Sequence, residues 1–340
     1  MPIAAPHIEG IYYAGTEASF DLPVINLTDP RFFVAEDPAA AAKLYEAFAA
    51  AQRRPWYVPG FVMRMVLRSA ARKSLLLKAI LQPEGGFLDG ISTYVMKLGP
   101  DFLVLPFDTP MDRRMASSPH VPLLRLRMQQ TAQFLVQGLL GDLIASSAPL
   151  SLVNIGGGPA LDSINAVLFL RRDHPELAQR PIAIHVLDGS KAGPDFGMNA
   201  LAALQAEGAP LHGLSITMRH VTYDWSHTAP LQRLVDDLNA KNEIFAASTK
   251  GALFEYGNDA DVIANLKVLR NGARLVTGSV TRDDAIRRST VAETGVKLML
   301  RGQKGLTPLA AEAGFEITDS ESVYLSDQVL LRPAQVGAHA

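Results

Sequence analysis

Three consecutive glycines mark the stretch of this 340-residue chain whose residue types and spacing favour ligand chemistry. Gly156-Gly157-Gly158 follows the apolar segment Leu150–Ile155, and Pro159 leads into a helical pattern at Ala160–Leu170. Glycine has no Cβ, so a ligand can approach the backbone closely. Pro159 suits the first position of a helix, where its missing N–H costs nothing. Since a helix start offers unpaired N–H groups and partial positive charge, the stretch predicts a strand–turn–helix cradle for an anionic or hydroxyl-rich ligand.

The residues next to the glycines discriminate between classes of nucleotide. A P-loop requires Gly-x-x-x-x-Gly-Lys-Ser/Thr, and the sequence contains no such run. A dinucleotide turn requires Gly-x-Gly-x-x-Gly, but its third position is Leu161, whose side chain would crowd a pyrophosphate. Asp162 adds a carboxylate at the helix start, where a diphosphate would be repelled. An adenosine that carries a sulfonium instead of phosphates fits this turn better.

The chain beyond the glycine turn alternates strand and helix patterns. The second strand is expected at Pro181–Leu187 and runs to Asp188. Further strands are expected at Leu214–Tyr223, Ile244–Ser248, Ala273–Val280, Phe315–Leu325 and Gln328–Arg332, with helices at Asn199–Glu207, Pro230–Leu238, Asp259–Arg270 and before Ala313-Gly314. This alternation predicts an α/β domain over 148–340 with a doubly wound parallel sheet. Ligand contacts are then expected at the carboxyl ends of its first strands.

Val153–Ala160 and the acidic residue Asp188, taken together, resemble the class I S-adenosylmethionine-dependent methyltransferases. The match spans residues 150–332, and its last two strands are similar to the antiparallel hairpin of that family. Ala160 departs mildly from the family's Gly-x-Gly-x-Gly pattern. The resemblance implies a Rossmann-like sheet and S-adenosylmethionine as substrate or methyl donor, with no metal.

The resemblance also implies which residues bind this ligand. In the family, glycines equivalent to Gly156, Gly157 and Gly158 form the cradle, and an acid at the position of Asp188 holds both ribose hydroxyls. Two carboxylate oxygens facing a vicinal diol are chemically reasonable. The adenine contacts fall on Tyr223-Asp224-Trp225, where the carboxylate accepts the amino group and the indole stacks, although core packing is an equal alternative for Trp225. Ala247-Ser248-Thr249 is implied to flank the sulfonium.

Asn154 is the departure with mechanistic meaning, because many family members carry an acid there, near the ligand's amino group. An amide can hold this nitrogen without raising its pKa, or it is simply an adequate hydrogen-bonding substitute. The first case favours a cyclisation in which the neutral amine attacks its own γ-carbon and expels methylthioadenosine. Asn154-Ile-Gly-Gly-Gly-Pro is similar to the azetidine-2-carboxylate synthases of natural-product pathways. Asn154 and Ser248 are therefore the candidate catalytic residues.

Two other functions remain open. The predicted fold favours methyl transfer to a small molecule, although a fold alone does not establish a reaction. His227 is a candidate base for this transfer. A catalytically silent scaffold that binds S-adenosylmethionine is the third hypothesis.

Residues 1–147 are expected to form a mostly helical cap or lid. The patterns predict an irregular arm at Met1–Pro30 and helices at Pro38–Gln52, Phe61–Leu81 and Pro122–Ser146. Four polar residues of the last helix could reach a ligand carboxylate: Arg125, Arg127, Gln129 and Gln130. At least two of them are expected to be solvated at the surface instead. Candidates to face the sulfonium by cation–π attraction are Tyr12, Tyr13, Trp56 and Tyr94.

Composition limits the partners. A net charge of −2 disfavours nucleic acid. The chain has no cysteine, which excludes thiolate nucleophiles and sulfur-based zinc sites, and its eight histidines form no His-x-x-x-His pair. The basic stripe Arg64, Arg68 and Arg72 is expected to be solvated rather than bound to a membrane. Without a signal peptide or an apolar run of membrane-spanning length, we expect a cytoplasmic protein that takes a small-molecule substrate, with a homodimer as an open alternative.

Overall fold

A computed structural model describes residues 7–52, 65–66, 69–81, 90–285, 287–288, 291 and 297–335. Within these residues the N-terminal part contains a hairpin of two short strands followed by helices. The strands are β1 (Tyr13–Gly15) and β2 (Asp21–Pro23), and the helices are α1 (Pro38–Gln52), α2 (Leu75–Leu81), α3 (Gly90–Leu98), α4 (Pro110–Ala116) and α5 (His120–Ala145). The arm expected to be irregular is thus partly wrong, because its backbone pairs antiparallel with itself.

The continuous helix predicted over Phe61–Leu81 is also wrong at its C-terminal end. A turn precedes α2, and the Ser74 hydroxyl accepts from the N–H of Leu77 at 3.0 Å, which caps a new helix start. Ser74 in turn donates to the buried carboxylate of Asp112 at 2.6 Å. This cap and its buried partner explain the interruption. Arg64 and Arg68 lie outside the described residues.

The C-terminal part contains one sheet of seven strands in the order β5-β4-β3-β6-β7-β9-β8. Its strands are β3 (Leu150–Ile155), β4 (Ile182–Asp188), β5 (Ile216–Thr222), β6 (Ile244–Thr249), β7 (Val276–Thr281), β8 (Phe315–Ser322) and β9 (Ser326–Pro333). Its helices are α6 (Leu161–Asp173), α7 (Ala192–Gln205), α8 (Ala229–Ala240), α9 (Leu253–Tyr256), α10 (Asp259–Leu269) and α11 (Gly302–Glu312).

Strands β3 to β7 are parallel, whereas β9 pairs antiparallel with both β7 and β8. Alternate residues of β3 face opposite layers: Leu152 packs in the cluster that contains the apolar sides of α5, α6 and α7, and Val153 packs in the cluster under α8, α10 and α11. This two-sided covering confirms the predicted doubly wound, Rossmann-like sheet. The terminal hairpin is present as the resemblance implied.

The N-terminal helices and the sheet share one apolar core. Leu22, Ile25 and Tyr94 belong to the same buried cluster as Leu152. The Asn165 side chain of α6 accepts from the N–H of Leu27 at 2.7 Å and donates to the N-terminal backbone as well. None of the described helices is both long and apolar enough to span a membrane. The division at 147/148 stays a prediction.

Candidate functional site

The glycine turn lies where β3 ends, between the carboxyl ends of β4 and β6. Gly156 and Gly158 have φ of +67° and +57°, which glycine adopts without a Cβ penalty. Ala160 also has a positive φ, +50°, directly before α6 begins at Leu161. Pro159 is therefore not the first helical residue, and the expectation that it starts the helix is wrong. This left-handed conformation is one that glycine adopts more readily than alanine.

The middle glycine is required by packing. A Cβ added to Gly157 would lie 2.1 Å from the Oδ1 atom of Asn154. From the other side, α7 approaches so closely that a Cβ on Gly193 would lie 2.8 Å from the Cα of Gly158. The turn is thus held between a side chain of β3 and the backbone of α7. Its shape is rigidly specified on both sides.

Asp188 ties the glycine turn to the neighbouring strand. Its Oδ2 accepts from the N–H of Gly158 at 2.9 Å, and its Oδ1 accepts from the N–H of Ser190 at 2.8 Å. The residue is partly exposed at the end of β4. Each carboxylate oxygen has a second lone pair, so both can also accept from ligand hydroxyls. The ribose contact expected of Asp188 stays a prediction.

Trp225 and Asp224 follow β5 but have different environments. The Trp225 ring lies over the turn, since a Cβ on Gly156 would be 3.1 Å from a ring carbon, and it packs against the apolar cluster beneath. Asp224 is exposed, and its pKa is lowered by hydrogen bonds from Ser226. His227 is exposed as well and lies 3.4 Å from Asp224. The indole is therefore brought to the turn, while Asp224 and His227 are exposed to solvent.

Asn154 is fully buried beneath the turn and bonded to polar neighbours on two elements. Its Nδ2 donates to Oδ1 of Asp162 at 2.9 Å and to Oγ of Ser248 at 3.0 Å. Asp162 is also fully buried. Oδ1 of Asn154 and Oδ2 of Asp162 have no hydrogen-bond partner among the described residues. The sequence analysis placed Asp162 at the helix start without linking it to Asn154, and the first turn of α6 brings its carboxylate into contact with the amide.

The polar residues expected on α5 lie in the interior. Gln129 and Gln130 are buried and hydrogen-bonded to the side chains of Glu36 and Glu321, so surface solvation is wrong for both. The reason is that α5 lies between the N-terminal helices and the sheet, and its polar side chains therefore find protein partners.

Arg127 and Arg125 differ in their partners. The Arg127 guanidinium donates to Oε1 of Glu255 at 2.9 Å, and its side chain is only 14% exposed. Burial lowers the pKa of Arg125. The Nε atoms of both arginines are buried without a partner among the described residues.

The aromatic candidates of the N-terminal part are engaged elsewhere. The buried Tyr94 hydroxyl donates to the carbonyl of Pro23 and accepts from the N–H of Ile25 at 3.0 Å. Tyr13 stacks on His7 with ring centroids 3.8 Å apart, and Tyr12 packs against the main core. Trp56 lies outside the described residues. Tyr94 therefore has a structural role. None of the contacts described here for the three tyrosines is with the glycine turn.

Two lysines that the sequence analysis missed lie beside this site. Lys250 directly follows β6 and is 8% exposed, and its amine forms a side-chain hydrogen bond with the amine of Lys97 from α3. Burial, and then the charge of Arg127, lowers the pKa of Lys250 to about 8. Burial, and then the charge of Lys250, lowers the pKa of Lys97 well below its ordinary value. The sequence did contain one signal for Lys250, which directly follows the uncharged strand segment Ile244–Thr249.

No protein-family model matches the chain, and no curated protein matches its sequence. Its fold is similar to that of magnesium protoporphyrin IX methyltransferase from Synechocystis PCC 6803 with bound SAH (TM-score 0.41, 15% identity, 63% of this chain and 87% of that chain). It is also similar to N,N-8-amino-8-demethyl-D-riboflavin dimethyltransferase from Streptomyces davawensis (TM-score 0.38, 16% identity, 90% and 74%) and to mitomycin 7-O-methyltransferase (TM-score 0.38, 14% identity, 91% and 76%). Because the TM-scores lie below 0.5, the functional proposal rests on the strand order and the site.

Proposed function

We propose that this chain is an S-adenosylmethionine-dependent enzyme that transfers a methyl group to a small molecule. The observation that carries the proposal is the contact between Asp188 and the N–H of Gly158 at 2.9 Å. This contact joins the ends of two adjacent parallel strands, where a doubly wound sheet binds nucleotides. Asp188 would hold the ribose hydroxyls, and Trp225 over the turn would contact adenine. The glycines Gly156, Gly157 and Gly158 would line the methionine portion.

The methyl-transfer step needs positioning more than covalent participation by the protein. A lone pair of the acceptor attacks the methyl carbon, the bond from that carbon to sulfur breaks, and the acceptor loses a proton after or during the attack. Holding the two reactants in line supplies most of the required acceleration. Ser248 and Asn154 lie at the end of β6 and β3, where they would orient the sulfonium end of the ligand. We propose that the methyl acceptor is a small molecule of natural-product type.

Asp162 favours methyl transfer over cyclisation. A carboxylate within contact distance of an ammonium favours its charged form. The ligand's amine, held near Asn154, would then keep its proton and have no lone pair for attack. In methyl transfer the amine takes no part, so a charged ammonium is no obstacle.

Cyclisation remains the second candidate because of the two lysines. In that step the ligand's amine attacks its own γ-carbon, the bond between this carbon and sulfur breaks, and the nitrogen loses a proton. Methylthioadenosine leaves and azetidine-2-carboxylate remains. Lys97 and Lys250 lie within electrostatic range of Asp162 and would oppose an ammonium nearby. This is the specific feature that favours a neutral amine.

Incubation of the purified protein with S-adenosylmethionine separates the candidates. Methyl transfer predicts no enzymatic product from S-adenosylmethionine alone and S-adenosylhomocysteine when a panel of small phenols, amines and carboxylic acids is added. Azetidine-2-carboxylate and methylthioadenosine without any acceptor would establish cyclisation instead. Binding without turnover would indicate a scaffold. The Asp188→Ala variant is the control for spontaneous ligand breakdown, because it retains the rest of the chain.

A further inference from the structure

The basic side chains next to the glycine turn, Lys97, Lys250 and Arg127, outnumber the carboxylates that act on them. Asp162 raises the pKa of both lysines, and Oε1 of Glu255 already accepts from Arg127 at 2.9 Å and from the Ser279 hydroxyl at 2.9 Å. Neither Lys97 nor Lys250 forms an ion pair with a carboxylate of the described residues. A buried cation without an anionic partner is destabilising. The arrangement is therefore incomplete as a purely structural one.

The cations converge from three elements. Lys97 lies in the last turn of α3, Arg127 in α5, and Lys250 directly after β6. The Arg127 guanidinium lies against Gly251, where a Cβ would be 3.1 Å from Nη2, and its Nε has no partner among the described residues. The amine of Lys97 contacts that of Lys250, and because an ammonium has no lone pair, one of the two must be neutral to accept the hydrogen bond. The contact lowers the pKa of Lys97 and raises that of Lys250, so Lys97 is the accepting, neutral amine.

This cluster adjoins the proposed ligand site. Lys250 is two residues beyond Ser248, which accepts from Asn154 beneath the turn. The helix that carries Lys97 begins at Gly90, which lies against Gly158: a Cβ built on Gly90 would be 4.0 Å from the Cα of Gly158. A ligand in the turn would therefore have its reacting end near the cluster.

We propose that Lys97, Lys250 and Arg127 form a subsite for a carboxylate group of the bound ligand. The inference rests on the proposed function only for the source of this group, which is either the α-carboxylate of S-adenosylmethionine or a carboxylate on the methyl acceptor. An anion beside the two lysines favours the charged form of both amines, and its two oxygens accept from both. The guanidinium of Arg127 adds a planar donor suited to a carboxylate. Lys97 lies on α3 of the N-terminal part, and Lys250 directly follows β6 of the sheet. The bound anion therefore also links these two parts of the chain.

Calorimetry with four probes tests the subsite and identifies the source. The probes are S-adenosylmethionine, its decarboxylated analogue, methylthioadenosine, and benzoate with and without S-adenosylhomocysteine. They are titrated into the parent protein and into Lys97→Gln and Lys250→Gln. Lys241→Gln is the matched control, because Lys241 pairs with Asp237 at the end of α8.

Two results support the proposal. If the carboxylate belongs to S-adenosylmethionine, the parent binds it at least about tenfold more tightly than the decarboxylated analogue, and Lys97→Gln and Lys250→Gln each remove most of that preference. If it belongs to the acceptor, the preference is absent or unaffected, while benzoate binds saturably and each glutamine variant weakens it by about tenfold or more. Lys241→Gln leaves both quantities unchanged.

The opposite results are equally clear. The proposal is overturned if the parent shows no carboxylate-dependent binding, or if neither Lys97→Gln nor Lys250→Gln alters it. Methylthioadenosine has no carboxylate and reports on the nucleoside site alone. Absence of its binding together with retained, lysine-dependent benzoate binding would refute the proposed function and support the subsite. Thermal unfolding without ligand supplies a further check: removing an unpartnered buried cation is expected to maintain or raise the melting temperature, whereas a loss of stability in both variants would contradict unpartnered lysines.

Discussion

Replacing Asn154 by aspartate tests the polar pair beneath the glycine turn. In the parent, the Asn154 amide donates to Asp162 at 2.9 Å, and both side chains are fully buried. Aspartate has no N–H to donate and places a second carboxylate against the first. Two buried carboxylates in contact cannot both ionise readily, so the pKa of one of them must rise. Asn154→Asp is therefore expected to unfold more easily, to a degree that depends on pH.

The expected magnitude has two parts. Loss of a hydrogen bond to a charged group costs about 1.5–3 kcal/mol, and each unit by which a carboxyl pKa rises costs about 1.4 kcal/mol at a pH above that pKa. A rise of about two units gives about 4–6 kcal/mol in total at pH 8. A carboxyl whose folded pKa is raised is not penalised below its unfolded pKa of about 4. The penalty grows as the pH rises from the unfolded pKa to the folded pKa and is constant above it, so the variant should be closest to the parent at pH 5.

Urea unfolding at pH 5, 6.5 and 8 measures this difference against the parent at each pH. Asn154→Ala removes the donor without adding charge, so its loss of stability should change less between pH 5 and pH 8 than that of Asn154→Asp. The double variant Asn154→Asp with Asp162→Asn exchanges the two groups and should recover most of the stability. The reasoning is refuted if Asn154→Asp loses the same stability at every pH, or if the exchange is no better than the single change.

Three further predictions concern packing, the N-terminal segment and pH. Gly157→Ala places a Cβ 2.1 Å from the Oδ1 atom of Asn154 and should lower the free energy of unfolding in urea by about 1–3 kcal/mol. Gly141→Ala, on α5 with no atom within 4 Å of its Cβ, should raise it by about 0.5–1 kcal/mol. Equal effects of the two changes would contradict the packing account. Tyr94→Phe leaves buried backbone groups unpaired and should cost about 1–3 kcal/mol and speed proteolysis of residues 7–30; an unchanged cleavage rate would exclude the anchoring role. Burial, and then the charge of Arg219, lowers the pKa of His185 to about 4, so its contribution to stability is present above pH 6.5 and lost as the pH falls toward 4; His185→Gln should flatten the melting temperature over that interval, and an unaltered slope would argue against it.

The sequence predicted those elements whose pattern is local. The apolar run Leu150–Ile155, the glycines and the alternation after them led directly to the sheet, because strands buried on both faces read as continuous apolar segments. The interruption before Leu75 was not predictable, since it depends on Ser74 meeting Asp112 from a distant part of the chain. The hairpin Tyr13–Gly15 with Asp21–Pro23 was missed because each strand has only three residues.

The candidate site was predictable only where its residues lie at the ends of predicted strands. Asp188 and Gly158 were expected together because parallel strands end at the same edge. Asp162 was considered only as a charge at the helix start, and its contact with Asn154 depends on how α6 packs on β3. Lys97 and Lys250 are 153 positions apart in the chain, so no spacing rule joins them. Tertiary packing alone brings these two amines together.

The central claim is that the glycine turn and Asp188 bind the nucleoside of S-adenosylmethionine. Calorimetric titration of S-adenosylmethionine into the parent protein and into Asp188→Ala tests it, with Asp173→Ala as the control at an exposed carboxylate paired with Arg172. Removing charge-assisted hydrogen bonds to the ribose should weaken binding by about tenfold to a hundredfold, while Asp173→Ala should bind as the parent does. Equal affinity in Asp188→Ala and parent, or no binding by a folded parent, would contradict the claim.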